Sequence, residues 1–459
     1  MLPWTRTTRR AEYMTTAVLP LRRIASRESL ATVGFALWAL AVGAFLALHL
    51  RSALLLGLAP LVVMLLVRPQ VAAALAVATI PFFRDLIGSE ASSVNIDASD
   101  VFFYLSSAAL IAPMLLRVGV GTQVRYARVP VLWSLPFSAW MLVVLADHWS
   151  MHSLLKTGHA YELFLLPMVV GAVLLTRRSA QMAMWGFIGV ACLVALLWIV
   201  GAGGVVGQKN PSGQFMTDSL LLTLVVAKDW RYRLPPLTIL AVGLLFTASR
   251  GALLSLALGG IAFLAIRGLG SWRKTVAAVV PLTLAIVVGY NAIPDSLRQR
   301  LGVYSVGSTT GAPITDAEYT IKVRQEYRSD GLTIVREHPI FGIGAGNYRA
   351  GNPLLGTQTV DPHQMLIRTA ADEGIPGLLL FLLAALGTAW AMLRRLTVTR
   401  WAAAALVLQV AIFAHGFVDV YWVRGTPVLG WLLVGMAFNP RLVRREPEDL
   451  HTATVPSTP

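Results

Sequence analysis

Charged residues are scarce in this chain. Asp, Glu, Lys and Arg make up 13% of its 459 residues, whereas about 25% is usual for a soluble protein. Hydrophobic residues reach 56%. This balance excludes an ordinary soluble domain and predicts a polytopic membrane protein.

Cysteine and lysine are also rare. The only cysteine, Cys192, lies within an apolar run, which excludes a disulfide framework and a cysteine-based metal site. Only five of the 38 basic residues are lysine, so the positive charge of the chain is carried almost entirely by arginine.

Apolar runs, by contrast, are abundant. There are fourteen candidate spans, but several are shorter than the roughly 20 residues that cross a bilayer. We therefore expect an all-α protein with twelve to fourteen transmembrane helices. The candidate spans lie at 31–50, 52–67, 70–83, 101–116, 129–146, 158–176, 180–203, 213–227, 234–249, 251–267, 275–293, 376–393, 401–420 and 426–438.

The distribution of Lys and Arg predicts the orientation. With the N-terminus inside, the cytoplasmic segments hold 24 basic residues and the short outer loops hold six, one in each. Short loops rich in Lys and Arg stay on the cytoplasmic side. We therefore expect a multi-pass protein of the cytoplasmic membrane whose tails, residues 1–30 and 441–459, are both cytoplasmic. Because the net charge of +15 follows the topology, nucleic acid is not an expected partner.

One connection is much longer than the others. Residues 294–375 separate the first eleven spans, within 31–293, from the last three, within 376–440, and they fall on the outer side. A structureless loop of this length is uncommon unless it is functional. The stretch DAEYTIKVRQEYRSDGLTIVREH at 316–338 is typical of a polar helix. We expect a small, mostly helical extracytoplasmic subdomain.

The stretch VDPHQMLIRTAADEGIPG at 360–377 has the pattern of a helix start followed by a hinge. Asp361 suits the N-cap, Pro362 the first helical position, and Gln364 completes a variant of the capping box. His363 would then lie in the first turn, where the helix dipole keeps imidazole neutral and attracts anions. His363 is therefore a candidate proton acceptor beside an anion site, or else a solvated surface histidine.

A glycine-rich stretch, REHPIFGIGAGNYR, occupies residues 336–349. It is not a dinucleotide fingerprint, because no strand–turn–helix unit surrounds it. Its backbone N–H groups are candidates for binding phosphate, and Asn347 is a candidate for binding donor or acceptor. The alternative is a tight turn that packs the subdomain on the membrane domain.

Three arginines are candidates for holding diphosphate, since guanidinium binds it bidentately and stays charged. Arg250 follows the ninth span in TASRGALLS, and Arg324 and Arg328 lie on the polar helix of the long outer segment. The alternative for Arg250 is an arginine that reaches the membrane interface without further function.

Two further groups are candidates for binding donor or acceptor. His415 and Asp419, in AHGFVDVYWVRG, share a helical face near the outer end of the thirteenth span. They either serve the site or form a buried pair that locks helices together. Lys209 and Asn210 lie in GQKNPSGQF, which we expect to be a polar outer loop.

Four stretches within residues 207–385 resemble, in their order along the chain, the O-antigen ligase and polymerase superfamily of membrane glycosyltransferases. They are GQKNPSGQF, ASRGALLSLALGG, VRQEYRSDGLTIVREHPIFGIGAGNY and DPHQMLIRTAADEGIPGLLLFLLA. The residue after His363 is Gln364, where the family often has Asn, and Arg328 stands where an aromatic residue is common.

The resemblance implies an all-helical, inverting transferase of the GT-C type. It would move a glycan from a polyprenyl diphosphate, such as undecaprenyl or decaprenyl diphosphate, to an acceptor hydroxyl on a glycan or lipid-linked glycan outside the membrane. It implies no metal and no cofactor, which agrees with the lack of acidic metal-ligand spacing in the outer segments. His363 matches the family's loop histidine, Arg324 its loop arginine and Arg250 its membrane arginine.

A transporter or flippase of lipid-linked sugars is the alternative function. Many helices and outer arginines fit it as well, but internal repeats and paired broken helices, which are common in transporters, are not evident in the sequence.

Overall fold

The computed structural model describes residues 65–81, 87–88, 95–96, 98–115, 127–203, 208–227, 229–267, 316–350, 362–419, 421–422 and 425–443. Several predicted features lie outside the described residues: the spans 31–50 and 275–293, most of 52–67, Asp361, the N-terminal tail and nearly all of the C-terminal tail. The domain boundaries derived from them stay predictions.

The described chain is helical apart from one small hairpin, in which β1 pairs antiparallel with β2 and Ile87 lies opposite Ile96. The elements in chain order are α1 (Pro69–Thr79), β1 (Ile87–Gly88), β2 (Asn95–Ile96), α2 (Ala98–Leu115), α3 (Arg128–Asp147), α4 (Met151–Leu163), α5 (Leu165–Val173), α6 (Arg177–Ile199), α7 (Lys209–Val226), α8 (Trp230–Thr247), α9 (Arg250–Arg267), α10 (Asp316–Glu337), α11 (Asn347–Ala350), α12 (Met365–Leu393), α13 (Arg400–Gly416), α14 (Val428–Met436) and α15 (Pro440–Val443).

Four of the described helices, α3, α6, α9 and α12, are long and apolar enough to cross a membrane. The helices α1 and α13 are apolar but shorter. The prediction of an all-α, multi-pass membrane protein is therefore confirmed, while the number of twelve to fourteen spans stays a prediction.

Two predicted boundaries were wrong. The run 158–176 is not one helix, because the backbone turns at Phe164 (φ −120°, ψ −73°) and separates α4 from α5. The predicted polar loop GQKNPSGQF is mostly helical, since α7 begins at Lys209 and nearly every residue from Pro211 onwards is buried by its neighbours. The polar residues of this stretch predicted a loop, but neighbouring helices enclose them within the bundle.

The centre of the bundle is formed by helices that approach each other closely. Helix α9 packs along α13, α7 packs against both, and α12 packs against α3 and α13. Ser255 of α9 donates a hydrogen bond of 2.6 Å to the carbonyl of Ala411 in α13. Small residues at such contacts allow the backbones of membrane helices to approach. This packing fixes the positions of α9, α12 and α13 relative to one another.

Helix α12 is divided by a kink at Gly374, whose φ of 71° is left-handed. The part before the kink, 365–373, is called the arm below. The predicted hinge in EGIPG is thus present. The glycine-rich loop, residues 342–346, pairs with the end of the arm: the N–H groups of Ile343 and Gly344 donate to the carbonyls of Ala371 and Asp372, each at 2.9 Å.

We expect Gly374→Ala to destabilise the protein by about 1–3 kcal/mol, because alanine is strained at positive φ and its Cβ would collide with the carbonyl oxygen of Ile340. Gly189→Ala is the matched control, since a Cβ there meets nothing within 4 Å in an exposed stretch of α6. Thermal unfolding of the detergent-solubilised variants measures both. Equal melting temperatures for the two variants would contradict the assigned kink.

Candidate active site

His363 lies immediately before α12 in a left-handed backbone conformation, with φ of 51°. The prediction that it occupies the first helical turn was wrong. The N-cap is Gln364, whose side chain accepts a hydrogen bond of 2.6 Å from the N–H of Ile367. Left-handed conformations of non-glycine residues cost about 1–3 kcal/mol and cluster at functional sites. The surrounding contacts must therefore hold His363 in place.

The strongest of these contacts is made by Asp419. One carboxylate oxygen of Asp419 lies 3.0 Å from Nδ1 of His363, and the other accepts a hydrogen bond of 3.0 Å from the guanidinium of Arg324. Arg324 also donates to the carbonyl of Val418 at 2.8 Å. A histidine, an arginine and an aspartate from three separate segments thus form one chain of interactions, called the Asp419 bridge below.

Asp419 is deeply buried, with 2% of its surface exposed. The hydrogen bond with His363 and the ion pair with Arg324 stabilise the charged form of its carboxyl against burial. The aspartate is therefore ionised at neutral pH. An ionised carboxylate at Nδ1 selects the imidazole tautomer with its proton on Nδ1 and leaves the lone pair on Nε2.

The polar helix α10 supplies the other walls around His363. The ring of Tyr327 stacks on the imidazole, with centroids 6.4 Å apart and planes inclined by 20°. One turn later, Gly331 permits close packing, because a Cβ there would lie 2.5 Å from the side chain of Ile367. Tyr348 donates a hydrogen bond of 2.8 Å to the carbonyl of Tyr327 and fixes the helix from the other side.

His415 lies next to the Asp419 bridge without joining it by a ring hydrogen bond. Its imidazole is fully buried, and neither ring nitrogen has a hydrogen-bond partner among the described residues. Its carbonyl accepts hydrogen bonds of 2.9 Å from the N–H groups of Val418 and Asp419. His415 and Asp419, four residues apart, are thus the ends of a hydrogen-bonded turn that positions the Asp419 side chain.

Arg250 lies at the same end of the bundle as the Asp419 bridge. It is exposed and begins α9, directly before Gly251. A Cβ on Gly251 would lie 3.1 Å from both the His415 ring and the Val418 side chain. The first turn of α9 therefore packs beside the Asp419 bridge.

Lys209 and Asn210 are the first residues of α7, which lies beside the start of α9. A Cβ on Gly213 of α7 would lie 2.9 Å from the Cβ atoms of Ser249 and Ala252. The N-termini of α7 and α9 are consequently neighbours. Their aligned backbone dipoles give this region positive potential, which favours an anion.

Arg328 lies one helical turn after Arg324 on α10. Its guanidinium is partly buried, and its Nε donates no hydrogen bond to any described residue. A buried guanidinium N–H without an acceptor is costly in a protein interior. Arg328 thus has a buried donor without a partner among the described residues, whereas Arg324 is engaged by Asp419.

The glycine-rich loop is occupied by internal hydrogen bonds. Besides its two bonds to the arm, the N–H of Gly342 donates to the carbonyl of His338 at 3.1 Å. The side-chain amide of Asn347 donates to Ser153 and to the carbonyl of Ile343, at 3.2 and 2.7 Å. This geometry favours the packing role of the loop over the phosphate-binding role.

Residues 236–382 match the family model described as O-antigen ligase. The segment from 236 to 382 is therefore similar to an O-antigen ligase domain. The match confirms the resemblance to the O-antigen ligase and polymerase superfamily over α8 to the membrane half of α12. No curated protein matches the chain.

The matched segment contains Arg250, Arg324, Arg328 and His363. Asp419 lies beyond the matched segment in the sequence, and only the fold brings it into contact with His363 and Arg324. Tyr327 and the orienting role of Asp419 were not found from the sequence, because neither residue stands near His363 along the chain. At the level of the family, the match supports a membrane enzyme of the ligase or polymerase type.

We expect Arg324→Met to lower thermal stability by about 1–3 kcal/mol, since it leaves the Asp419 carboxylate buried without its cation. The double variant Arg324→Met/Asp419→Asn should recover part of this loss, because no uncompensated charge remains. Unfolding in detergent, followed by tryptophan fluorescence, measures both. Arg336→Met, at an exposed position of the same helix, is the control. A double variant no more stable than the single one would argue against the bridge.

Proposed function

We propose that this protein is an inverting glycosyltransferase of the cytoplasmic membrane. It takes a glycan from a polyprenyl diphosphate and passes it to an acceptor hydroxyl on the outer side, as a ligase or polymerase of cell-surface polysaccharide. The observation that carries the proposal is the Asp419 bridge, which joins His363 and Arg324 of the matched segment into one site.

His363 is the proposed base. Because Nδ1 faces Asp419, Nε2 is the atom that receives the proton of the acceptor hydroxyl. The acceptor oxygen forms a bond to the anomeric carbon while the bond from that carbon to the diphosphate oxygen breaks. The electron pair leaves with the diphosphate, and Asp419 stabilises the imidazolium that forms. Attack opposite the leaving group inverts the anomeric configuration.

The diphosphate gains negative charge as the bond breaks, so its site needs fixed positive groups. Arg250 and Arg328 are proposed to supply them, together with the adjacent N-termini of α7 and α9. Lys209 and Asn210 stand at one of these N-termini. Since these groups can balance the leaving group, the proposed transfer needs no metal.

The polyprenyl chain needs an apolar surface that continues from the diphosphate into the bilayer. Helix α9 offers such an apolar surface in the turns after Arg250. Its residues Leu254, Leu258 and Ile261 are exposed and recur at helical spacing on one face. Phosphates at Arg250 would leave the lipid tail along this stripe. The donor is thus proposed to enter from the membrane and the acceptor from the outer side.

Removing the base is the first test. His363→Ala should lower transfer by about 10²- to 10⁴-fold, the usual range for a general base. The assay uses the purified protein, a polyprenyl diphosphate glycan and a glycan acceptor in detergent micelles, with product separated on gels. Product formation without a sealed bilayer also distinguishes a transferase from a flippase, which only relocates lipid between leaflets.

His338→Ala is the matched control, because His338 is an exposed histidine of the same outer segment and should leave the rate unchanged. Asp419→Asn should slow transfer while the protein still folds, since the amide no longer stabilises the imidazolium. Near-normal product from folded His363→Ala protein would refute the proposed base.

The anion site has a separate test. Arg328→Ala and Arg250→Ala should each raise the KM for the diphosphate-linked donor about tenfold or more, because each removes a guanidinium worth roughly 1.5–3 kcal/mol as a charged hydrogen-bond donor. The KM for the acceptor should change little. Arg336→Ala is the control. If acceptor KM rises instead, the arginines serve a different part of the site.

A further inference from the structure

A second cluster of ionisable side chains lies apart from His363, between α2 and α4. Asp100 comes from the first turn of α2, and His159 and Glu162 come from the last turns of α4. One ligand atom from each residue lies within 4.8 Å of the other two. We propose that these three side chains bind one divalent transition ion, such as zinc or manganese.

The spacing on each helix directs the donors to one point. His159 and Glu162 are three residues apart, so they share a face of α4. Pairs of carboxylate and imidazole at this spacing are a common way for helical bundles to hold metal ions. Asp100 approaches from α2, and Tyr104 one turn later donates a hydrogen bond of 2.7 Å to Oε2 of Glu162. A tyrosine thus orients a ligand from outside the ligand set.

Burial supplies the second observation. Glu162 is 2% exposed, and its Oε1 accepts no hydrogen bond from any described residue. Among the described residues the partners of this carboxylate are Tyr104 and His159, both on Oε2. Asp100 is also buried, with 5% of its surface exposed. The unpartnered Oε1 of Glu162 is the buried oxygen that a metal ion would compensate.

The donor set selects the class of ion. Two carboxylates and one imidazole combine the ligands preferred by manganese and zinc, and the absence of thiolate disfavours soft ions. Ligand atoms around one ion at about 2.1 Å lie about 3.4 Å apart in tetrahedral geometry. The three ligand atoms, which lie within 4.8 Å of one another, would move closer on binding the proposed ion.

The proposed ion would tie α2 to α4 beside a cleft that His159 lines together with Lys156, Arg368 and Glu373. The proposed role is structural, and it is independent of the proposed transfer, which needs no metal.

The test uses the full-length protein in detergent, stripped with EDTA and then titrated with Zn²⁺ or Mn²⁺. We expect one tightly bound equivalent per chain by elemental analysis and a melting temperature raised by several degrees. Glu162→Gln and Asp100→Asn should each weaken binding at least tenfold. Asp147→Asn should not, because Asp147 forms an exposed pair with His148 on α3.

Tyr104→Phe keeps all three ligands, so it should retain the bound equivalent with weaker affinity. Wild-type protein that neither binds either ion stoichiometrically nor gains thermal stability from it would overturn the proposal, whether or not the variants fold. Binding that persists unchanged in the folded Glu162→Gln/Asp100→Asn protein would overturn it as well.

Discussion

The carboxylate of Asp419 is the constraint on which the candidate active site depends. A buried anion is tolerated only with compensating partners, and this one takes both from distant segments: His363, 56 residues away, and Arg324, 95 residues away. The polar helix α10 and the start of α12 are thereby fastened to the end of α13. The same contact sets the tautomer and direction of the imidazole, so one interaction serves both the packing and the chemistry.

The arm of α12 is the second support. It leaves the membrane segment at Gly374, and the glycine-rich loop pairs with its carbonyls. Thr369 in the arm accepts a hydrogen bond of 2.9 Å from the indole of Trp422, while Arg368 lies 5.0 Å above the ring of Tyr348 and bonds to Asp372. These contacts hold the arm rigidly from several sides. His363, at the head of the arm, is thus positioned by backbone pairing as well as by its own side-chain partner.

The site divides its tasks between two kinds of group. Asp419, Arg324 and Tyr327 contact one another or the imidazole and position it. Arg250 and Arg328, with the N-termini of α7 and α9, are proposed to supply positive charge to the diphosphate. This division explains why two arginines one turn apart on α10 have different proposed roles.

The sequence by itself determined the helical membrane class, the hinge at EGIPG and the group of arginines and histidine from which the site is built. These features can be predicted because apolar runs, glycine conformations and the order of motifs are properties of the chain itself and do not depend on contacts between distant segments. Only the tertiary structure decided that Asp419 bonds to His363 rather than to the ring of His415. It also decided that Asn347 donates a hydrogen bond to Ser153 of α4, and that GQKNPSGQF begins a buried helix. Those outcomes depend on which helix ends meet in space, and spacing along the chain carries no information about contacts between residues so far apart.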